Sequence, residues 1–225
     1  MAVTMENVVE ICVAIDIAIL GIAYPIIVDK ISNIGEKFSS EYVATIFNTT
    51  FPQKAISFKI FKRQFQLSAF KMMLFVTILF FPFLIFQLKP VLGLDNWLIN
   101  NSAKLCVLIT STLLTVCFFI WLDAVILFNS KATILLKHII AKYKQLKNSN
   151  PIRTDYLRAI NELTIYAIEK QDEHLQKTLL EFYYEEFSAI RQSHNKDQPL
   201  IYPIELYFFV NKLMLYIKQK RGHIV

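Results

Sequence analysis

Three runs of this chain, Val8–Val28, Ala69–Leu88 and Leu105–Phe128, are long and nearly free of charge. An α-helix needs roughly 20 apolar residues to cross the hydrocarbon of a bilayer. Backbone groups inside lipid must bond within their own segment, which favours helices for single runs of this kind. The expected fold class is an all-α integral membrane protein with three transmembrane helices, the third continuing into a cytoplasmic helical bundle. Composition agrees with this. The chain is 55% hydrophobic and 19% charged, against about 45–50% and about 25% in a soluble domain. Four glycines and seven prolines leave little material for a turn-rich β fold.

Basic residues set the expected orientation, because they favour the cytoplasmic side. Lys30, Lys37, Lys54, Lys59, Lys62 and Arg63 lie between the first and second runs, and Lys131, Lys137, Lys142, Lys144 and Lys147 follow the third. The loop between the second and third runs holds Lys89, with Lys104 at its far edge, and Trp97 at an interfacial position. The N-terminus is therefore expected outside and the C-terminus in the cytoplasm of a bacterial inner (plasma) membrane. The first charges are Glu6 and Glu10 and the first lysine is Lys30. A secretory leader begins with a basic region, so the first run is expected to remain in the mature protein.

Four parts follow. Residues 1–30 form the outer N-terminus and first span, and 31–68 form a cytoplasmic amphipathic, interfacial segment. Residues 69–128 form two spans with a short outer loop, and 129–225 form a cytoplasmic all-helical domain. In the second part Ile31, Ile34, Phe38, Tyr42 and Ile46 recur at helical spacing, and Phe58, Phe61 and Phe65 alternate with Lys59, Lys62 and Arg63. Such a segment lies on the lipid surface or docks as an elbow on the cytoplasmic domain. No Gly or Pro interrupts the chain after the third span until 148–151. Residues 105–147 are thus expected to form one rod of about 65 Å. Beyond it, Pro151 and Thr154 open one helix, Gln171-Asp172 restarts a second, and a third begins near Pro203. Glu205, Asn211 and Lys212 argue against reading that last helix as a fourth span.

Asp16 is the one charge between Ile11 and Val28, and a carboxylate there costs a few kcal/mol on insertion scales. Two readings are open: an ion-pathway residue, or a polar clamp bonded to a Ser or Thr on the third span. Thr112, Thr115, Phe119, Asp123 and Ser130 fall within about 80° of arc at 100° per residue. Around an axis this stripe would line a polar pore narrowed at Phe119, and such constrictions gate by dewetting; the alternative is interhelical packing by small polar residues. Glu6 and Glu10 are candidates for an outer vestibule, and Pro25 and Pro82 for hinges, since proline removes a helical hydrogen bond.

Cys12, Cys106 and Cys117 all lie in apolar runs and suit packing. No metal-ligand spacing, nucleophile motif or Gly-rich phosphate loop is present, so no metal, cofactor or catalytic residue is expected. The topology accounts for the basic flanks, so nucleic acid is not expected as a partner. The expected partners are membrane lipid, further copies of the chain in a cyclic homo-oligomer, and a cytoplasmic protein or ligand. The function expected first is a cation-leaning homo-oligomeric ion channel, gated or assembled through its cytoplasmic helices. The alternative is a non-conducting membrane-anchored scaffold or receptor subunit. A transporter fits three spans without repeat symmetry poorly, and an enzyme fits least.

Overall fold

The computed structural model describes residues 5–60, 63–85, 101–194 and 199–222. These divide into two compact units, Met1–Ser32 with Phe47–Ile126, and Asn33–Ile46 with Leu127–Val225. Helices dominate both. Asn7–Phe38 and Ser102–Phe128 are the described helical stretches long and apolar enough to cross a membrane.

In the first unit, α1 (Met5–Ala18) passes through a π turn (Ile19–Ala23) into α2 (Tyr24–Ser32). The Tyr24 N–H donates to Ile19 O, five residues back. Pro25 follows at once. Its ring crowds the preceding turn and it donates no hydrogen bond, and a widened turn relieves that crowding.

The segment expected as a single amphipathic stretch over 31–68 is divided. Asn33–Ile46 belongs to the second unit, and the rest holds an antiparallel hairpin of β1 (Ala55–Ile60) and β2 (Arg63–Ser68). Its register runs from Ala55↔Ser68 through Phe58↔Phe65 to Ile60↔Arg63. AISFKI alternates apolar and polar residues with a period of two, the period of a strand. The hairpin leads directly into α5 (Ala69–Ile85).

Helix α5 is described over 17 residues, about 26 Å. Residues 86–88 of the expected second span lie outside the described residues. Among the described residues, two of the three expected spans meet the length and composition of a crossing helix. An aromatic cluster ties the unit together: Phe70 stacks on Trp121 at 4.6 Å and on Tyr24 at 5.7 Å. Phe70, Trp121 and Leu114 are fully buried.

The third apolar run forms α6 (Ser102–Phe128), and α7 (Ala132–Gln145) follows after a break. The single rod expected over 105–147 is thus corrected. Lys131 is extended, with φ −62° and ψ 142°. The carbonyls that end a helix need other donors. Here the Lys37 ammonium donates to the carbonyls of Asn129 and Ser130, and the Ser130 hydroxyl donates to Leu127 O at 2.6 Å. Lysine at a helix C-terminus is also favoured by the helix dipole.

The second unit is built from α7, α8 (Pro151–Glu169), α9 (Glu173–Gln192) and α10 (Ile204–Gly222). Asn150 caps α8 through Ile152 N–H at 3.0 Å, and Asp172 caps α9 through Leu175 N–H at 3.0 Å. The buried stripe of α7 is Leu135, Ile139 and Tyr143, and that of α8 is Leu157, Ile160, Leu163 and Ala167. These are the helical-period positions of the sequence. Two short helices add to this unit: α3 (Ile34–Phe38) and the start of α4 (Glu41–Thr49). Ser40 accepts the Val43 N–H at 3.1 Å, while Glu162 on α8 accepts from the Ser40 hydroxyl at 2.6 Å and from the Tyr42 N–H at 3.3 Å. Phe38 meets Tyr166 edge-on at 5.7 Å.

Candidate functional site

Asp16 and Ser111 form the most unusual polar contact of the first unit. Val107, Thr110, Ser111, Leu114, Phe118, Trp121 and Val125 make the buried stripe of α6, at the 3–4 residue spacing of one helix face. Ser111 is the member of that stripe that faces α1. Its hydroxyl lies 2.9 Å from Asp16 Oδ1 and 3.4 Å from Cys12 O. Asp16 is fully buried, and its Oδ2 has no hydrogen-bond partner among the described residues. Trp121 Nε1 is buried and unpartnered in the same sense. A carboxylate with one hydrogen bond in an apolar setting is costly, so this arrangement is either a clamp that holds α1 on α6 or a place where a charge is used.

The other residues singled out in the sequence lie elsewhere. Thr112 and Asp123 are exposed, Thr115 is half-buried, and Phe119 is 58% exposed. They occupy the side of α6 away from its buried stripe. Asp16 therefore does not share a face with them. Ser130 lies beyond the end of α6, so the stripe stops at Asp123 on this helix. The Thr112 hydroxyl donates to Leu108 O at 2.7 Å, a local bond that satisfies threonine in apolar helices. Its oxygen keeps acceptor capacity on the exposed side. Glu10 is exposed on α1; Glu6 lies in α1 and Pro82 in α5, with side chains outside the described residues. Pro25 is exposed, two residues past the π turn.

Two polar networks bind the second unit. The Tyr143 hydroxyl donates to Glu186, which also takes Arg153 at 3.3 Å, and the guanidinium lies 4.2 Å from the Tyr143 ring centre. Burial, with Glu186 beside it, pushes the Tyr143 hydroxyl well above the usual phenol range, so it stays a neutral donor. The Tyr183 hydroxyl donates to Asn161 Oδ1 at 2.8 Å, and Asn161 Nδ2 donates to Glu205 O at 3.2 Å. These links join α7, α8, α9 and α10 at their buried stripes.

Sequence reasoning did not single out Ser111, Lys37 or Glu162. Ser111 carries a readable signal, since it sits on the apolar side of α6 with Leu114 and Trp121. Lys37 and Glu162 act on residues 92 and 122 positions away, which no local pattern reports. Compared with protein-family models, with curated proteins and with solved structures, the chain finds no match.

Proposed function

We propose that the chain is a membrane protein that works as a cyclic homo-oligomer and conducts cations along the exposed side of α6. The observation that carries this reading is the stripe Thr112, Thr115, Phe119 and Asp123, of which the single chain leaves Thr112, Phe119 and Asp123 exposed and Thr115 half-buried. Ionisable residues in spans face a bundle interior or a water-filled cavity rather than lipid. Copies arranged about an axis provide that environment, and closed rotational symmetry is the common solution. Asp123 would favour cations and Phe119 would form the constriction. In this reading the N-terminus is outside and the second unit is cytoplasmic, as the basic flanks require.

Of the two readings open for Asp16, its surroundings support the clamp. Its contact with Ser111 inside the chain suits a clamp between helices, and this contact also favours the second reading, a non-conducting membrane-anchored scaffold whose cytoplasmic helices bind a partner. Ion flux from liposomes separates the two. Phe119→Ala raises cation leak well above wild type if the stripe lines a path. In a scaffold it leaves flux at the level of protein-free liposomes.

A further inference from the structure

An open groove of about 750 Å³ lies beside the break between α6 and α7 within the second unit. Lys37, Lys131, Lys170 and His174 line it, contributed by α3, the N-cap of α7, the C-cap of α8 and the first turn of α9. Phe38 and Tyr166 supply an aromatic wall, and the Lys170 ammonium lies 6.0 Å from the Tyr166 ring centre. One carboxylate, Asp172, also lines the groove, but its Oδ1 is occupied by the Leu175 N–H. Among the described residues none of the three lysines pairs with a carboxylate.

The charges are placed against local preference. Lys131 stands at the N-cap of a 14-residue helix that has no acidic residue in its first turn and no side-chain cap. A helix N-terminus carries partial positive charge and favours anions, and lysine has no oxygen with which to cap it. Ala132 and Thr133, which open α7, also line the groove. Lys37 uses two of its donors on Asn129 and Ser130, leaving a third. Three lysines, a histidine and a bare helix start therefore line one solvent-open groove, with one committed carboxylate among them. That space has the volume of a small-ligand site. An oxyanion with several acceptor oxygens answers all of these groups together, and phosphate does so best.

We propose that this groove binds a phosphate group, held by Lys131, Lys170 and the start of α7, with Lys37 and His174 at its edge. The phosphate comes either from an anionic lipid headgroup, since Asn129 directly follows the last residue of α6, or from a small soluble phosphorylated ligand. The inference does not depend on ion conduction. The test uses the full chain in phosphatidylcholine nanodiscs, with inorganic pyrophosphate titrated by calorimetry in one arm. In the other, thermal stability is followed as phosphatidylglycerol replaces phosphatidylcholine. Lys131→Gln and Lys170→Gln are compared with Lys137→Gln, an exposed lysine of α7 that does not line the groove. Each groove variant is expected to weaken the response about tenfold, the effect of losing one charged hydrogen bond, while Lys137→Gln leaves it unchanged. Saturation by pyrophosphate alone assigns a soluble ligand, and a response to phosphatidylglycerol alone assigns a headgroup. The proposal is overturned by no saturable response in either arm, or by equal responses from all three variants. Ligand-free melting of each variant, matched to wild type, separates lost binding from lost folding.

Discussion

Asp16 owes its place to one neighbour. Ser111 gives its hydroxyl to Oδ1, and nothing among the described residues answers Oδ2. Hydrogen bonds between membrane helices contribute on the order of 1 kcal/mol. Ser111→Ala is therefore expected to destabilise the chain in detergent by about that much, while Thr112→Ala, whose bond is local to α6, costs clearly less. Unfolding titrations of both variants check this, and equal effects would remove the clamp. A second residue makes the other unit sensitive to acid. Burial, together with the charge of Lys142, holds the His138 imidazole below its ordinary 6.5. The unfolded chain then binds more protons than the native one just below 6.5, so stability is complete above that value and is lost as pH falls toward the native pKa. Melting temperature is expected to fall as pH drops below about 6.5, and His138→Gln is expected to flatten that slope. An unchanged slope would show that other groups set the acid response.

At the scale of elements, the clearest device is the end of α6. Lys37 donates to the carbonyls of Asn129 and Ser130, just past the last residue of α6, from positions 92 and 93 residues earlier. Lys37→Met keeps the stem and removes the donors, and it is expected to cost on the order of 1 kcal/mol and to loosen residues 129–131. Hydrogen exchange at Ser130 and Lys131 reads this, and protection equal to wild type would contradict it. The same element shows what could be read in advance. Helices α7 to α10 announce themselves through apolar spacing and through Pro151, Asp172 and Pro203, all of which act within a few residues of their own position. The break at 129–131 does not, because FNSK holds no Gly or Pro and its stabilising partner is remote. The hairpin over 55–68 is ambiguous for another reason. Its alternation of Phe, Ile, Lys and Gln suits a period of two, while Phe58, Phe61 and Phe65 also suit a helical one. Asp16 was legible as a costly residue, yet its pairing with Ser111 rests on the packing of α1 against α6.

For the whole molecule, the central claim is that the exposed side of α6 meets water at an interface between copies. The face includes Thr112, Thr115 and Phe119, and it borders Leu113 and Val116, which are exposed apolar residues of the same helix. Lipid accounts for the latter two, whereas a carboxylate at Asp123 is poorly suited to it. The distinction is direct, because a charged thiol reagent reacts with cysteines that meet water and not with those that meet hydrocarbon. Cys12, Cys106 and Cys117 are first replaced by alanine, and single cysteines are then placed at positions 112, 113, 115, 116 and 119 in the membrane-embedded protein. The account predicts modification at 112, 115 and 119 and protection at 113 and 116. Protection at all five positions in a well-folded oligomer would contradict it and place this side of α6 away from water, in lipid or in a dry contact.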